Sequence, residues 1–134
     1  MQNQKIIHII FGTILIIIFG SGIFFTINPK EQLKKIKNYQ RQSDVTELID
    51  LMDLYAKENN DEFIKQIYET PTLMGSSKGQ VNICELLIPK YTTSLPFDQN
   101  MEGTYYKNCK DHNLGYTIAK DQNNKIIISA PNGN

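Results

Sequence analysis

The stretch IIHIIFGTILIIIFGSGIFFTI, Ile6 to Ile27, constrains this chain more than any other. Its twenty-two residues include no Asp, Glu, Lys or Arg, and fifteen of them are Ile, Leu or Phe. At about 1.5 Å per residue the run makes a helix of roughly 33 Å, enough for a bilayer core of about 30 Å. A soluble helix of that length carries a polar face, whereas here polarity is limited to His8, Thr13, Ser21 and Thr26. The sequence therefore predicts a membrane-inserting helix over 6–27 behind a short tail at 1–5. A cleaved signal peptide is the rival reading, with Lys5 as its n-region, Ile9–Phe19 as its apolar region and Gly20-Ser21-Gly22 as its small-residue site. The immediate return of Ile23, Phe24 and Phe25 favours an anchor. Gly12, Gly20 and Gly22 would let such a helix approach another closely.

Asn28-Pro29 closes the apolar run. Proline costs a helix nothing at its first position, and asparagine is a good residue just before it. The pair thus predicts a helix start, or a kink, at the membrane surface. From Lys30 to Thr70 there is no glycine or proline, and Lys, Glu, Gln and Leu favour helix. Val45, Leu48, Ile49, Met52, Tyr55 and Ala56 recur at steps of three and four, a helical packing stripe. Leu33, Ile36 and Tyr39 continue it less strictly. The helix is expected to end at Asn59-Asn60-Asp61.

The 134 residues carry no net charge, so bulk electrostatics names no partner. The charges are nevertheless segregated. Residues 1–41 hold six Lys/Arg and one Glu, and residues 42–134 hold eight Lys/Arg and thirteen Asp/Glu. On the helix, Lys30, Lys34, Lys35, Lys37 and Arg41 precede Asp44, Glu47, Asp50, Asp53 and Glu58, against the helix dipole. The plain reading is a solvated face. The functional reading is that the two blocks meet opposite charge elsewhere, in lipid headgroups or in a neighbouring helix.

A membrane helix, then INPKEQLKKIKNYQRQSDVTELIDLMDLYAKENN, then ICELLIPKYTTSLPFD and LGYTIAKDQNNKIIISAPN, resembles type IV pilin-like and pseudopilin-like proteins, most closely those of candidate-phylum bacteria. The resemblance covers roughly residues 24–134 and rests on the joint order of the pieces. It implies a long helix shared between membrane and globular region, with the C-terminal region outside the cell. The chain departs from the pilin pattern near its start. There is no Gly-Phe step, and His8 stands near the place of the family's glutamate. Flanking positive charge, taken alone, would place the C-terminal region in the cytoplasm; the resemblance and the cysteines place it outside.

Residues 61–134 read as a small β-rich extracytoplasmic region. Pro71 and Gly75–Gly79 break the chain. Val81–Ile88 is a short apolar run, strand or helical turn, and Leu95-Pro96-Phe97-Asp98 reads as a turn. Gly115–Lys120 and Lys125–Ser129 read as strands joined at Asp121–Asn124. The expected fold class is α+β: a long N-terminal helix, membrane half plus amphipathic half over 28–60, packed on a small C-terminal antiparallel sheet.

Cys84 and Cys109 are the two cysteines. In a small exported domain such a pair is expected to form one disulfide. Zinc held by Cys84, Cys109 and His112 is the weaker reading, because no fourth ligand presents itself. Asp98, Asn100 and Glu102 match the opening of a calcium loop, but Cys109 stands where that loop needs its glutamate. No cofactor is expected, and no catalytic residue. No nucleophile motif, phosphate-binding glycine loop or telling carboxylate pair occurs. His112 is expected in an exposed loop, and Tyr105, Tyr106 and Tyr116 in packing rather than stacking on a nucleic acid. The functional expectation is a non-enzymatic, single-pass membrane subunit of a type IV pilus or related secretion or uptake filament, in contact with lipid and with other pilin-like subunits. The alternative is a stand-alone anchored or secreted binding domain that does not polymerise.

Overall fold

A computed structural model of the chain describes residues 28–60 and 62–131, with Gln4, His8, Ile10, Thr13 and Ile14 as single positions before them. The expected membrane helix over 6–27 and the signal-peptide site at Gly20–Gly22 otherwise lie outside the described residues. Among the described residues, no helix is long and apolar enough to cross a membrane. The chain forms two compact units, Met1–Lys35 and Ile36–Asn134. Apart from those single positions and Asn28, the described part of the first is the start of a helix; the second holds the core and the sheet.

Helix α1 spans Pro29–Glu58. Asn28 lies outside it and its carbonyl accepts the Gln32 N–H at 3.2 Å, so Pro29 takes the position where a missing N–H is harmless. Whether the chain kinks at Asn28-Pro29 depends on residues outside the described set. At the other end, Asn60 adopts φ +54°, the left-handed conformation that stops a helix. Asn59 donates from its side-chain amide to the Tyr55 carbonyl at 2.8 Å, covering one of the acceptors that a helix end leaves open. The buried face consists of Asp44, Leu48, Leu51, Met52 and Ala56, with Val45, Ile49 and Tyr55 half-buried beside it. Leu33, Ile36 and Tyr39 are 56, 63 and 70 % exposed. The covered stripe therefore begins later than its upstream apolar residues suggest.

A 3-10 turn at Phe63–Gln66 follows, then strand β1 (Thr72–Gly75), a single helical turn α2 (Cys84–Leu87), and strands β2 (Tyr105–Asn108), β3 (Asp111–Lys120) and β4 (Ile126–Ser129). The apolar run Val81–Ile88 splits. Val81 makes an isolated bridge to Met74, and Cys84–Leu87 coils. All pairings within the sheet are antiparallel and all involve β3. Asn113 pairs with both Gly75 and Tyr105, and Thr117 with both Leu73 and Ser129. So β1 takes one edge of β3, while β2 and β4 share the other, end to end.

Alternation along β3 sends His112, Leu114, Tyr116 and Ile118 into the core. Leu114, Tyr116 and Ile118 share one core with Leu48 and Met52 of α1, Met74 of β1, Leu87 of α2, Ile83 and Leu95 from the loops, and Ile126 and Ile128 of β4. The expected hairpin forms over Asp121–Lys125, where Asn124 takes φ +61° and the Asp121 carboxylate accepts the N–H groups of Asn123 and Lys125. Cys84 and Cys109 form a disulfide with 5.1 Å between their Cα atoms, tying α2 to the turn after β2.

Two loop expectations are corrected. His112 is buried on β3 rather than exposed in a loop, at 1 % exposure. The strand begins four residues before the Gly115 start that β-branched composition marks, because pairing with β2 extends it. Leu95–Asp98 is neither strand nor turn, and the turn follows it: the Met101 N–H donates to the Asp98 carbonyl at 3.0 Å. Asp98 itself is held on β3 by an N–H donated to the Leu114 carbonyl at 2.9 Å.

Candidate functional site

A buried polar seam lies where α1, the Leu95–Thr104 loop and β3 come together. Asp44 occupies a stripe position one turn before Leu48, so the same periodicity that buries Leu48 buries its carboxylate, leaving it 5 % exposed. The Tyr116 hydroxyl donates to Asp44 Oδ2 at 2.5 Å, and Gln40 Nε2 donates to Oδ1 at 2.8 Å. Arg41 Nε donates to Asp98 Oδ2 at 2.8 Å, with the two side chains 12 and 2 % exposed. Asp98 Oδ1 also accepts the Asn100 N–H at 3.0 Å, and the Asp98 carbonyl accepts the Thr104 hydroxyl at 2.6 Å.

Backbone geometry makes room for this seam. Gly115 sits in mid-strand at φ +76°, and a Cβ there would lie 2.6 Å from Thr104 Cγ2 and 3.3 Å from Asp98 Cβ. The loop carrying Asp98 therefore crosses β3 at a residue without a side chain. Burial pushes the Tyr116 hydroxyl far above its ordinary value. The Asp44 hydrogen bond and the charges of Asp44 and Asp98 add to the shift, and Arg41 opposes it. Tyr116 is thus held as a neutral donor. Burial likewise holds the His112 imidazole below its ordinary value, against the Asn108 carbonyl and Asp111, which pull it up. Its Nδ1 lies 3.1 Å from that carbonyl, and its Nε2 is buried without a hydrogen-bond partner.

The residues singled out from sequence fall into separate places. Cys84 and Cys109 are joined to each other, which removes both from any zinc site. In the calcium reading, Asp98 is committed to Arg41 and to the Asn100 N–H, while Asn100 and Glu102 are exposed. Among the described residues, no group of three or more His, Cys, Asp and Glu is placed to hold a metal ion. Tyr116 joins the seam, Tyr105 donates to Asp111 Oδ1 at 2.7 Å, and the Tyr106 hydroxyl lies 3.7 Å from Cys84 Sγ.

No family model, curated protein or solved structure matches the chain.

Internal geometry therefore carries the functional argument. The seam reverses part of the charge reading on α1: Arg41 and Asp44 are not on a solvated face. Arg41 meets its opposite charge within the same chain, from 57 residues away. The seam's members were individually visible, but only Asp44 left a sequence signal. It is a charged residue at a stripe position, which demands buried partners. Nothing in the local sequence pairs Asp98 with Arg41. Chemically, the arrangement holds a loop and a strand against a helix through groups that all act as donors or acceptors to one another.

Proposed function

We propose that the chain is a pilin-like, membrane-anchored, non-enzymatic structural subunit of a type IV pilus or of a related secretion or uptake filament. The architecture is pilin-like at the coarse level: a long helix packed on a small antiparallel sheet, with one disulfide in the C-terminal region. One observation carries the reading. Ile36 and Tyr39 extend from a helix whose later turns are buried, yet they are 63 and 70 % exposed, and Leu33 is 56 % exposed. A sequence of apolar side chains on a helix, uncovered among the described residues, suits a helix that packs against copies of itself. The apolar run over 6–27 supplies the anchor in this reading, and lipid and other pilin-like subunits are the partners. The disulfide fits an oxidising compartment, so the C-terminal region is assigned to the outside of a single-pass topology.

Site-specific photo-cross-linking tests the proposal in the native membrane. Probes at Leu33, Ile36 and Tyr39 are expected to give a ladder of self-conjugates, and a probe at Ser129 on the sheet far fewer. A single monomeric band from every helix position would favour the stand-alone anchored domain instead.

A further inference from the structure

The outer face of α1 carries a groove that extends past the filament contact proposed at Leu33, Ile36 and Tyr39. It runs from Tyr39 to Leu54, encloses about 570 Å³ and has the buried Leu51 at one side. Tyr39 and Leu54 are 70 and 49 % exposed, whereas Leu48, Met52 and Ala56 on the same helix are buried, so the groove faces away from the core. Glu47 and Asp50 line it, both exposed, and no Lys or Arg does. Among the described residues, neither carboxylate has an ion-pair partner. The chain itself carries the complement. Lys30, Lys34 and Lys37 follow at steps of four and three, so they share one face of α1. All three are exposed and, among the described residues, make no ion pair. The two sets cannot meet within one helix. Charges pair along a helix over three or four positions, and Lys37 stands ten before Glu47.

We propose that this groove receives the Lys30–Lys37 stretch of a second copy, lying parallel and offset along the helix axis. Lys30 falls opposite Glu47 and Lys34 opposite Asp50 at an offset of seventeen and sixteen residues, about 25 Å along the helix. At the same offset Lys37 reaches Leu54, where its methylene stem covers the exposed apolar side chain. Opposite charges on two different surfaces make the contact heterologous. Each copy offers its lysines to one neighbour and its groove to another, so the contact repeats instead of closing. An antiparallel pair would satisfy both charge sets at once, but anchors entering one membrane from the same side exclude it. This register rests on the filament reading and adds to it an offset set by charge.

Photo-cross-linking of the full chain in its native membrane, with conjugates mapped by mass spectrometry, tests the register. A probe at Leu54 is expected to capture the 33–41 stretch of another copy. Lys34→Glu combined with Lys37→Glu changes exposed, unpaired residues, so the fold should stay intact while capture falls at least about threefold, as loss of two solvated ion pairs implies. Adding Glu47→Lys and Asp50→Lys to that chain should restore capture, and added salt should weaken it in the wild type. A ladder from the Leu33 probe without capture by the Leu54 probe would overturn the register and leave the filament reading standing; loss of the ladder as well would overturn both. A fourfold swap that fails to restore capture would assign the lysines to lipid headgroups and overturn the register. Conjugates confined to a single dimer band would overturn it in favour of a closed antiparallel pair.

Discussion

At the scale of single residues, the seam decides which charges matter. Arg41 and Asp98 are nearly dry, so Arg41→Ala strands a buried carboxylate and should cost about 3–5 kcal/mol in urea unfolding. The geometrically similar pair Lys107–Asp111, at 67 and 42 % exposure, is screened by water, so Lys107→Ala should shift the unfolding midpoint far less than Arg41→Ala does. Tyr116→Phe removes one of the two donors to Asp44 and should cost about 1–3 kcal/mol. A double-mutant cycle with Asp44→Asn separates that bond from general repacking. His112 adds a pH dependence. Its folded-state value lies below the unfolded one, which is about 6.5, so the unfolded chain binds the proton more readily. Stability from neutral His112 is therefore complete above that value and is lost as pH falls below it. Unfolding of the wild type near pH 7.5 and near pH 5.5 should differ more than that of His112→Leu. None of these residues was read as buried beforehand: Asp44 was taken with the acidic block of the helix, although its place one turn before Leu48 is a periodic signal that could have marked it. The burial of Arg41, Asp98 and His112 arises from segments distant in sequence, which no local pattern records.

Elements show a different balance. The long helix was legible because its causes are local: proline at its first turn, forty-one residues from Lys30 to Thr70 without glycine or proline, and an asparagine pair at its end. The β3–β4 hairpin was legible for the same reason, through Tyr, Thr and Ile flanking Asp121–Asn124. Strand β1 and the first half of β3 were not, because they owe their extended state to pairing across the sheet. Gly115 gives that pairing a test. Gly115→Ala would adopt a strained φ and press on Thr104, so it should destabilise the chain by more than about 1 kcal/mol, whereas Gly103→Ala has open space around its Cβ and bears only the backbone strain. A midpoint shift in Gly103→Ala equal to that in Gly115→Ala would contradict the close crossing of the Asp98 loop. The disulfide closes a separation of 25 residues, for which chain entropy gives about 3 kcal/mol. Replacing both cysteines by alanine should lower urea stability by about that amount and loosen α2 first, as protection of its amides from exchange would report.

At the scale of the whole molecule, the proposed subunit role makes the exposed apolar side chains of α1 an interface. Ile36→Glu and Tyr39→Glu change residues that touch no core, so they should leave unfolding within about 0.5 kcal/mol of wild type. Both should nevertheless reduce the self-conjugates formed by a probe at Leu33. Unchanged conjugation would count against helix-mediated packing. By itself the sequence determined that an apolar run of bilayer length leads into an amphipathic helix and then a small α+β region with one cysteine pair. Those features depend on side chains three, four or two positions apart, and such spacings are written directly in the chain. Only the tertiary structure decided where the sheet begins to cover the helix, that Asp44 and Tyr116 share a buried hydrogen bond from 72 residues apart, and that Arg41 spends its charge on Asp98. These depend on which distant surfaces meet, and the free energy of excluding water from a joint surface belongs to neither segment alone.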